Sequence, residues 1–106
     1  MNQKITLYVP ATIGNEVTDN TEQVEHVADL FSQMFGGATA LPVNGYWKDL
    51  ETGELVKEKT VQVFAYTSFW NRIKNRKKIM EIVKWMKTTM FQQSIALEIN
   101  GNMTFH

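Results

Sequence analysis

The side chains that could do chemistry fall into three groups, and the first is sparse. His26 and His106 are the two histidines, and neither sits in a metal-ligand spacing such as His-Glu-x-x-His. No Gly-x-x-x-x-Gly-Lys phosphate loop, Gly-x-Ser-x-Gly elbow or dinucleotide fingerprint occurs. The chain has no cysteine, which excludes a thiolate nucleophile, a thiolate zinc site and a disulfide framework. Glu51, Glu54 and Glu58 surround a turn, where carboxylates are expected in solvent rather than converging as an acid and base pair. This group points to a binding protein, not an enzyme, with no catalytic residue, metal or cofactor.

The second group is aromatic. Tyr8, Phe64 and Tyr66, with Gln62 between them, occupy alternate positions of two predicted strands and would lie together on one sheet face. Aromatic rings on such a face stack nucleobases in RNA-recognition domains, at roughly 1–3 kcal/mol per base. The run from Lys59 to Tyr66 lacks the Arg/Lys-Gly opening of those domains. Two readings stay open: a face covered by protein, either a second copy or the C-terminal hairpin, and a nucleotide or RNA platform with Arg72 and Arg76 holding phosphates.

Trp85 with Lys74, Lys78 and Lys84 forms the third group. At 100° per residue Trp85 falls between Lys74 and Lys78, away from the apolar stripe of its helix. A tryptophan among lysines is an anchor for a partner protein, or it folds over a neighbouring segment.

The elements that must position these groups follow from periodicity. Residues 4–9 alternate, with Ile5, Leu7 and Val9 on one face, and Pro10 ends the strand. Val24, Val27, Ala28, Phe31, Met34 and Phe35 form a helical stripe, with Asn20 and Gln23 as the cap and Gly36-Gly37 as the stop. Residues 38–67 read as strands, with a turn or bulge at Asn44-Gly45 and a hairpin turn at residues 51–54. Tyr46 and Trp47 are expected to pack in the core or on the hairpin. Val61, Val63 and Ala65 face inward. One continuous helix is expected from about Ser68 to Met90, followed by a strand over 94–99. Asn100-Gly101 is a hairpin signal that adds a short edge strand. The order is that of an α+β, ferredoxin-like βαββαβ two-layer sandwich: an antiparallel sheet with both helices on one face and an extra C-terminal strand.

Charge is balanced overall, 11 Lys plus Arg against 11 Asp plus Glu, but unevenly placed. Residues 1–35 carry Glu16, Asp19, Glu22, Glu25 and Asp29 against Lys4, while residues 70–90 are strongly basic. An acidic helix beside a basic one would neutralise this asymmetry; otherwise the basic helix is a binding surface. The 106 residues suffice for one hydrophobic core, so a single domain over 1–106 is expected. The apolar runs are too short to span a membrane, and the start has no signal-peptide core, so the expected setting is the cytoplasm.

Ile5-x-x-Tyr8-Val9-Pro10, Phe35-Gly36-Gly37-Ala38-Thr39, Gly45-x-Trp47, Gly53-Glu54-Leu55-Val56-x-Glu58 and Glu98-Ile99-Asn100-Gly101 together resemble a group of small uncharacterised proteins of Gram-positive plasmids, integrative elements and phages. The resemblance implies a mobile-element setting and a counter-defence role of anti-CRISPR type: a homo-oligomeric inhibitor that binds a host defence protein or ribonucleoprotein. A sponge for a nucleotide signal or RNA is the alternative, and a small ferredoxin-like enzyme the third.

Overall fold

In the computed structural model, residues 1–14 and 16–106 are described. The elements are β1 (Gln3–Pro10), β2 (Thr12–Ile13), β3 (Glu16–Val17), α1 (Thr21–Phe35), β4 (Thr39–Lys48), β5 (Leu55–Thr67), α2 (Phe69–Lys74), α3 (Arg76–Met90), β6 (Ala96–Ile99) and β7 (Asn102–Phe105). Strands β4-β5-β1-β6-β7 form one antiparallel sheet in that spatial order. Its first four strands have the ferredoxin-like order, and β7 extends the β6 edge through the left-handed pair Asn100 (φ 54°) and Gly101 (φ 85°). The C-terminal hairpin thus lengthens the sheet and does not cover its open face.

Alternation decides which face is buried. Ile5, Leu7 and Val9 of β1 pair with Ala65, Val63 and Val61 of β5, and Ile5 and Leu7 also pair with Ile99 and Leu97 of β6. This face packs on Val27 and Phe31 of α1 and on Ile79, Val83 and Met86 of α3 in one core. Phe31 is fully buried, so Phe31→Ala would cost about 3–5 kcal/mol. Gly36 ends α1 in the left-handed conformation, with its N–H donating to the Ser32 carbonyl. Asn20 does not cap the helix through its side chain as expected. Its amide donates instead to the carbonyls of Val9 and Pro10, and the Asp19 carboxylate accepts from the Thr21 N–H.

Further expectations are corrected or narrowed. Asn44-Gly45 is no turn: both residues pair across the ladder with Lys59 and Glu58. The reversal lies at the expected turn of residues 51–54, which Asp49 opens: its carboxylate accepts from the N–H groups of Glu51 and Thr52, with Gly53 at φ 74°. The second helix breaks at Asn75 (φ −98°, ψ 6°), because its side-chain amide donates to the Asn71 carbonyl and side chain in competition with a regular turn. Of the two places expected for Tyr46 and Trp47, the core and the hairpin, they take the hairpin, where both stay exposed. The polar loop after β1 contains the small hairpin of β2 and β3.

The ladder of β1 against β5 ends at Pro10 and Thr60, yet β4 and β5 run on. Residues 44–48 and 55–59 pair only with each other, forming a two-stranded ribbon in a molecule whose longest extent is 46 Å. Pro42 is accommodated because β4 is an edge strand.

Candidate functional site

The open sheet face gathers polar groups from three strands. Tyr8 of β1 lies opposite Gln62 of β5, and Glu98 of β6 lies opposite Thr6, so all four side chains share the face that the helices leave uncovered. The Tyr8 hydroxyl donates to Glu98 Oε1 at 2.7 Å and accepts from Gln62 Nε2 at 3.1 Å. Burial pushes the Tyr8 phenol above its ordinary value; the hydrogen bond and charge of Glu98 push it further, and the Gln62 amide opposes them. Tyr8 is therefore a fixed donor at neutral pH, and it orients the carboxylate that it touches.

Phe64 and Tyr66 flank this network on β5, as expected, but not as a flat platform. Their rings meet edge to face, 6.0 Å apart at 87°. The Lys4 ammonium lies 4.4 Å from the centre of the Phe64 ring and 5.7 Å from that of Tyr66. Beside them, a cavity of about 440 Å³ opens between these two rings, Thr39 and the Gly36-Gly37 backbone. Further along the same face, the Trp47 indole N–H donates to Glu58 Oε1 at 3.1 Å at the base of the ribbon.

Arg72 and Arg76 do not join the aromatics. Arg72 Nε donates to Gln3 Oε1 at 2.9 Å, and its guanidinium lies over the Phe69 ring. Gln3 pairs with Thr67 in the register of Ile5 and Ala65, which places Arg72 on the helix side of the sheet. Arg76 is exposed at the start of α3.

Trp85 is half-buried against the core and meets the His26 ring of α1, with centroids 4.4 Å apart. Both border a groove of about 610 Å³ between α1 and the α2–α3 pair, which Lys74 and Lys78 also line. Lys84 is exposed and lies outside it. Three of the four members of the basic group thus come together, while the acidic and basic helices stay apart across the groove.

Sequence reasoning missed Glu98, Lys4 and the Trp47–Glu58 pair as site residues. Glu98 alternates visibly with Leu97 and Ile99, but its meeting with Tyr8 depends on β1 pairing with β6, a contact across ninety residues. Among the described residues no group of three or more histidine, aspartate or glutamate side chains is arranged to hold a metal ion, and no helix is long and apolar enough to cross a membrane.

No described protein family and no curated protein matches the sequence. Solved structures do share the fold. A phage SAM lyase in complex with S-methyl-5'-thioadenosine is similar over 98% of this chain and 88% of its own, with a TM-score of 0.67 and 17% identity. The apo state of a phage SAM lyase gives 0.67 over 99% and 88%, with 19% identity. CutA from Synechococcus elongatus gives 0.51 over 92% of this chain and 73% of its own, at 9% identity. These likenesses establish the fold and a phage setting for two of the neighbours. They also overturn the expectation of a non-enzymatic inhibitor of anti-CRISPR type. Its non-enzymatic part rested on the lack of a familiar catalytic motif and its anti-CRISPR part on the mobile-element resemblance, whereas two solved structures with the same fold over nearly the whole chain are of a lyase.

Proposed function

We propose that the chain is an enzyme that binds S-adenosylmethionine, or a close sulfonium nucleoside, on its open sheet face and cleaves it to S-methyl-5'-thioadenosine. The observation that carries this reading is the Glu98 carboxylate held by the Tyr8 hydroxyl in the middle of a face bearing Phe64 and Tyr66. The fold shared with a lyase in complex with S-methyl-5'-thioadenosine supports it. The reaction needs no co-reactant. The bond between sulfur and the four-carbon amino-acid chain breaks, its electron pair stays on sulfur, and the sulfonium becomes a neutral thioether. The four-carbon fragment balances either by losing a proton from the adjacent carbon to a base, or by closing its own carboxylate on the carbon that sulfur leaves. Both routes destroy charge, so surroundings that exclude water favour them. In the first route Glu98 is the base; in the second it orients the substrate ammonium.

Water exclusion calls for a cover, and we infer that a second copy of the chain supplies it. Leu41, Tyr66, Met103 and Phe105 leave apolar surface on or beside this face, and the ribbon adds Trp47. An isolated two-stranded ribbon is marginal in water, and packing on another copy would stabilise it.

Titration calorimetry with S-adenosylmethionine and S-methyl-5'-thioadenosine tests the binding half. Both should bind, and Glu98→Gln should weaken the sulfonium, which carries the charge, more than the neutral thioether. Absence of binding by either compound would overturn the reading. Equal loss for both would remove Glu98 from its role.

A further inference from the structure

The groove between α1 and the α2–α3 pair lies on the helix layer, on the far side of the sheet from Tyr8 and Glu98, and that network does not use it. Its volume of about 610 Å³ falls within the range of small-molecule sites. The chemistry of its walls is mixed in a directional way. Trp85 and His26 give it an aromatic side, and Lys74 and Lys78 give it two ammonium groups across the helix break. Asn75 is 4% exposed, and its amide nitrogen is committed to the Asn71 carbonyl and side chain. Those two bonds fix the orientation of the amide. Asn75 lines the groove, and its Oδ1 accepts no hydrogen bond from the described residues. One carboxylate, Glu81, stands on the wall against the two lysines.

We propose that this groove is a second ligand site, for a small planar aromatic anion that also carries an N–H donor. The ring would lie against Trp85, the anion between Lys74 and Lys78, and the donor on Asn75 Oδ1. The apolar floor of Leu30, Met34 and Ile82 accommodates the ring edge. A carboxylate or a phosphate satisfies the lysines equally, because an ammonium recognises either as a point charge.

The test uses two probes of that chemistry, anthranilate for the carboxylate and 5'-AMP for the phosphate, followed through the three indole N–H signals of the protein by nuclear magnetic resonance. Trp70 on α2 serves as the internal reference, since it does not border the groove; Trp47 reports separately on the open sheet face, where the adenosine of 5'-AMP resembles the proposed substrate. The expected result is a saturable shift of Trp85 with Trp70 unmoved, with one or both probes. A shift with anthranilate alone assigns a carboxylate ligand, and one with 5'-AMP alone a phosphate ligand. Lys74→Ala/Lys78→Ala, both exposed positions, should raise the dissociation constant at least tenfold and leave the melting temperature unchanged. No Trp85 shift at millimolar concentrations of either probe, shifts of equal size at Trp85 and Trp70, or unchanged affinity in the double variant would each overturn the proposal.

Discussion

Replacing Tyr8 by phenylalanine removes one oxygen and leaves two groups without their partner. The Glu98 carboxylate loses a donor at 2.7 Å, and the Gln62 amide loses an acceptor at 3.1 Å. A hydrogen bond to a charged group contributes about 1.5–3 kcal/mol and a neutral one about 1, but both lie on a partly exposed face where water replaces some of the loss. The net cost should be about 1–2 kcal/mol, which corresponds to a fall of roughly 5–10 °C in melting temperature for a domain of this size. Glu98→Gln keeps the Tyr8 donor and offers it an amide oxygen, so it should cost less. The pH dependence is a sharper signature. The folded protein holds the Tyr8 proton above its ordinary value of 10.0, so the stability this adds is fully present below pH 10 and is lost as the pH rises through the folded value. Phenylalanine has no such proton. The gap between the wild type and Tyr8→Phe should therefore be constant from pH 7 to 9 and should narrow above 10. Thermal melts across that range measure it directly. A melting temperature within 1 °C of the wild type, or a gap that widens above pH 10, would refute the reasoning.

Two other expectations follow from local features. Light scattering coupled to gel filtration should give a mass above that of one chain, and Trp47→Ser combined with Leu41→Ser should return the monomer, because both side chains stand exposed on the open sheet face; a monomeric wild type at 100 µM refutes the cover by a second copy. Gln23 Oε1 is buried with no hydrogen-bond partner among the described residues, so Gln23→Leu should raise stability by about 1 kcal/mol in urea titration; a loss of stability would show that the oxygen is satisfied in solution.

The fold was legible in the sequence where one periodicity ruled a whole segment. Ile5, Leu7 and Val9, then Val61, Val63 and Ala65, then Ile95 and Leu97 alternate cleanly, and each set faces the core, with Val61 alone only partly buried. The turn at Asn100-Gly101 was equally plain, since both residues take the left-handed backbone that Asn and Gly tolerate. The errors came where two local signals competed. Asn44-Gly45 has turn chemistry, but Asp49 and Gly53 closed the hairpin and the earlier pair was drawn into the ladder. Ser68 to Met90 has helical composition throughout, and only the side chain of Asn75 broke it.

The candidate site was half visible for a related reason. Tyr8, Gln62, Phe64 and Tyr66 share a face by alternation alone, so their gathering followed from strand order. What alternation does not contain is a rotamer: Phe64 and Tyr66 turn edge to face, and Lys4 moves over the ring. Arg72 left the group because Gln3, on the other side of β1, offered it an oxygen. The absence of an enzyme motif was a weak guide, because side chains brought together by sheet pairing, as Tyr8 and Glu98 are, leave no spacing in the chain to recognise.

The central claim is that this face cleaves a sulfonium nucleoside. Incubating the purified protein with S-adenosylmethionine and following the products by mass spectrometry tests it most directly. The expected products are S-methyl-5'-thioadenosine and one equivalent of a four-carbon fragment, formed at least a hundredfold more slowly by Glu98→Gln. Intact S-adenosylmethionine after prolonged incubation with the folded protein, or equal turnover by Glu98→Gln, would contradict it.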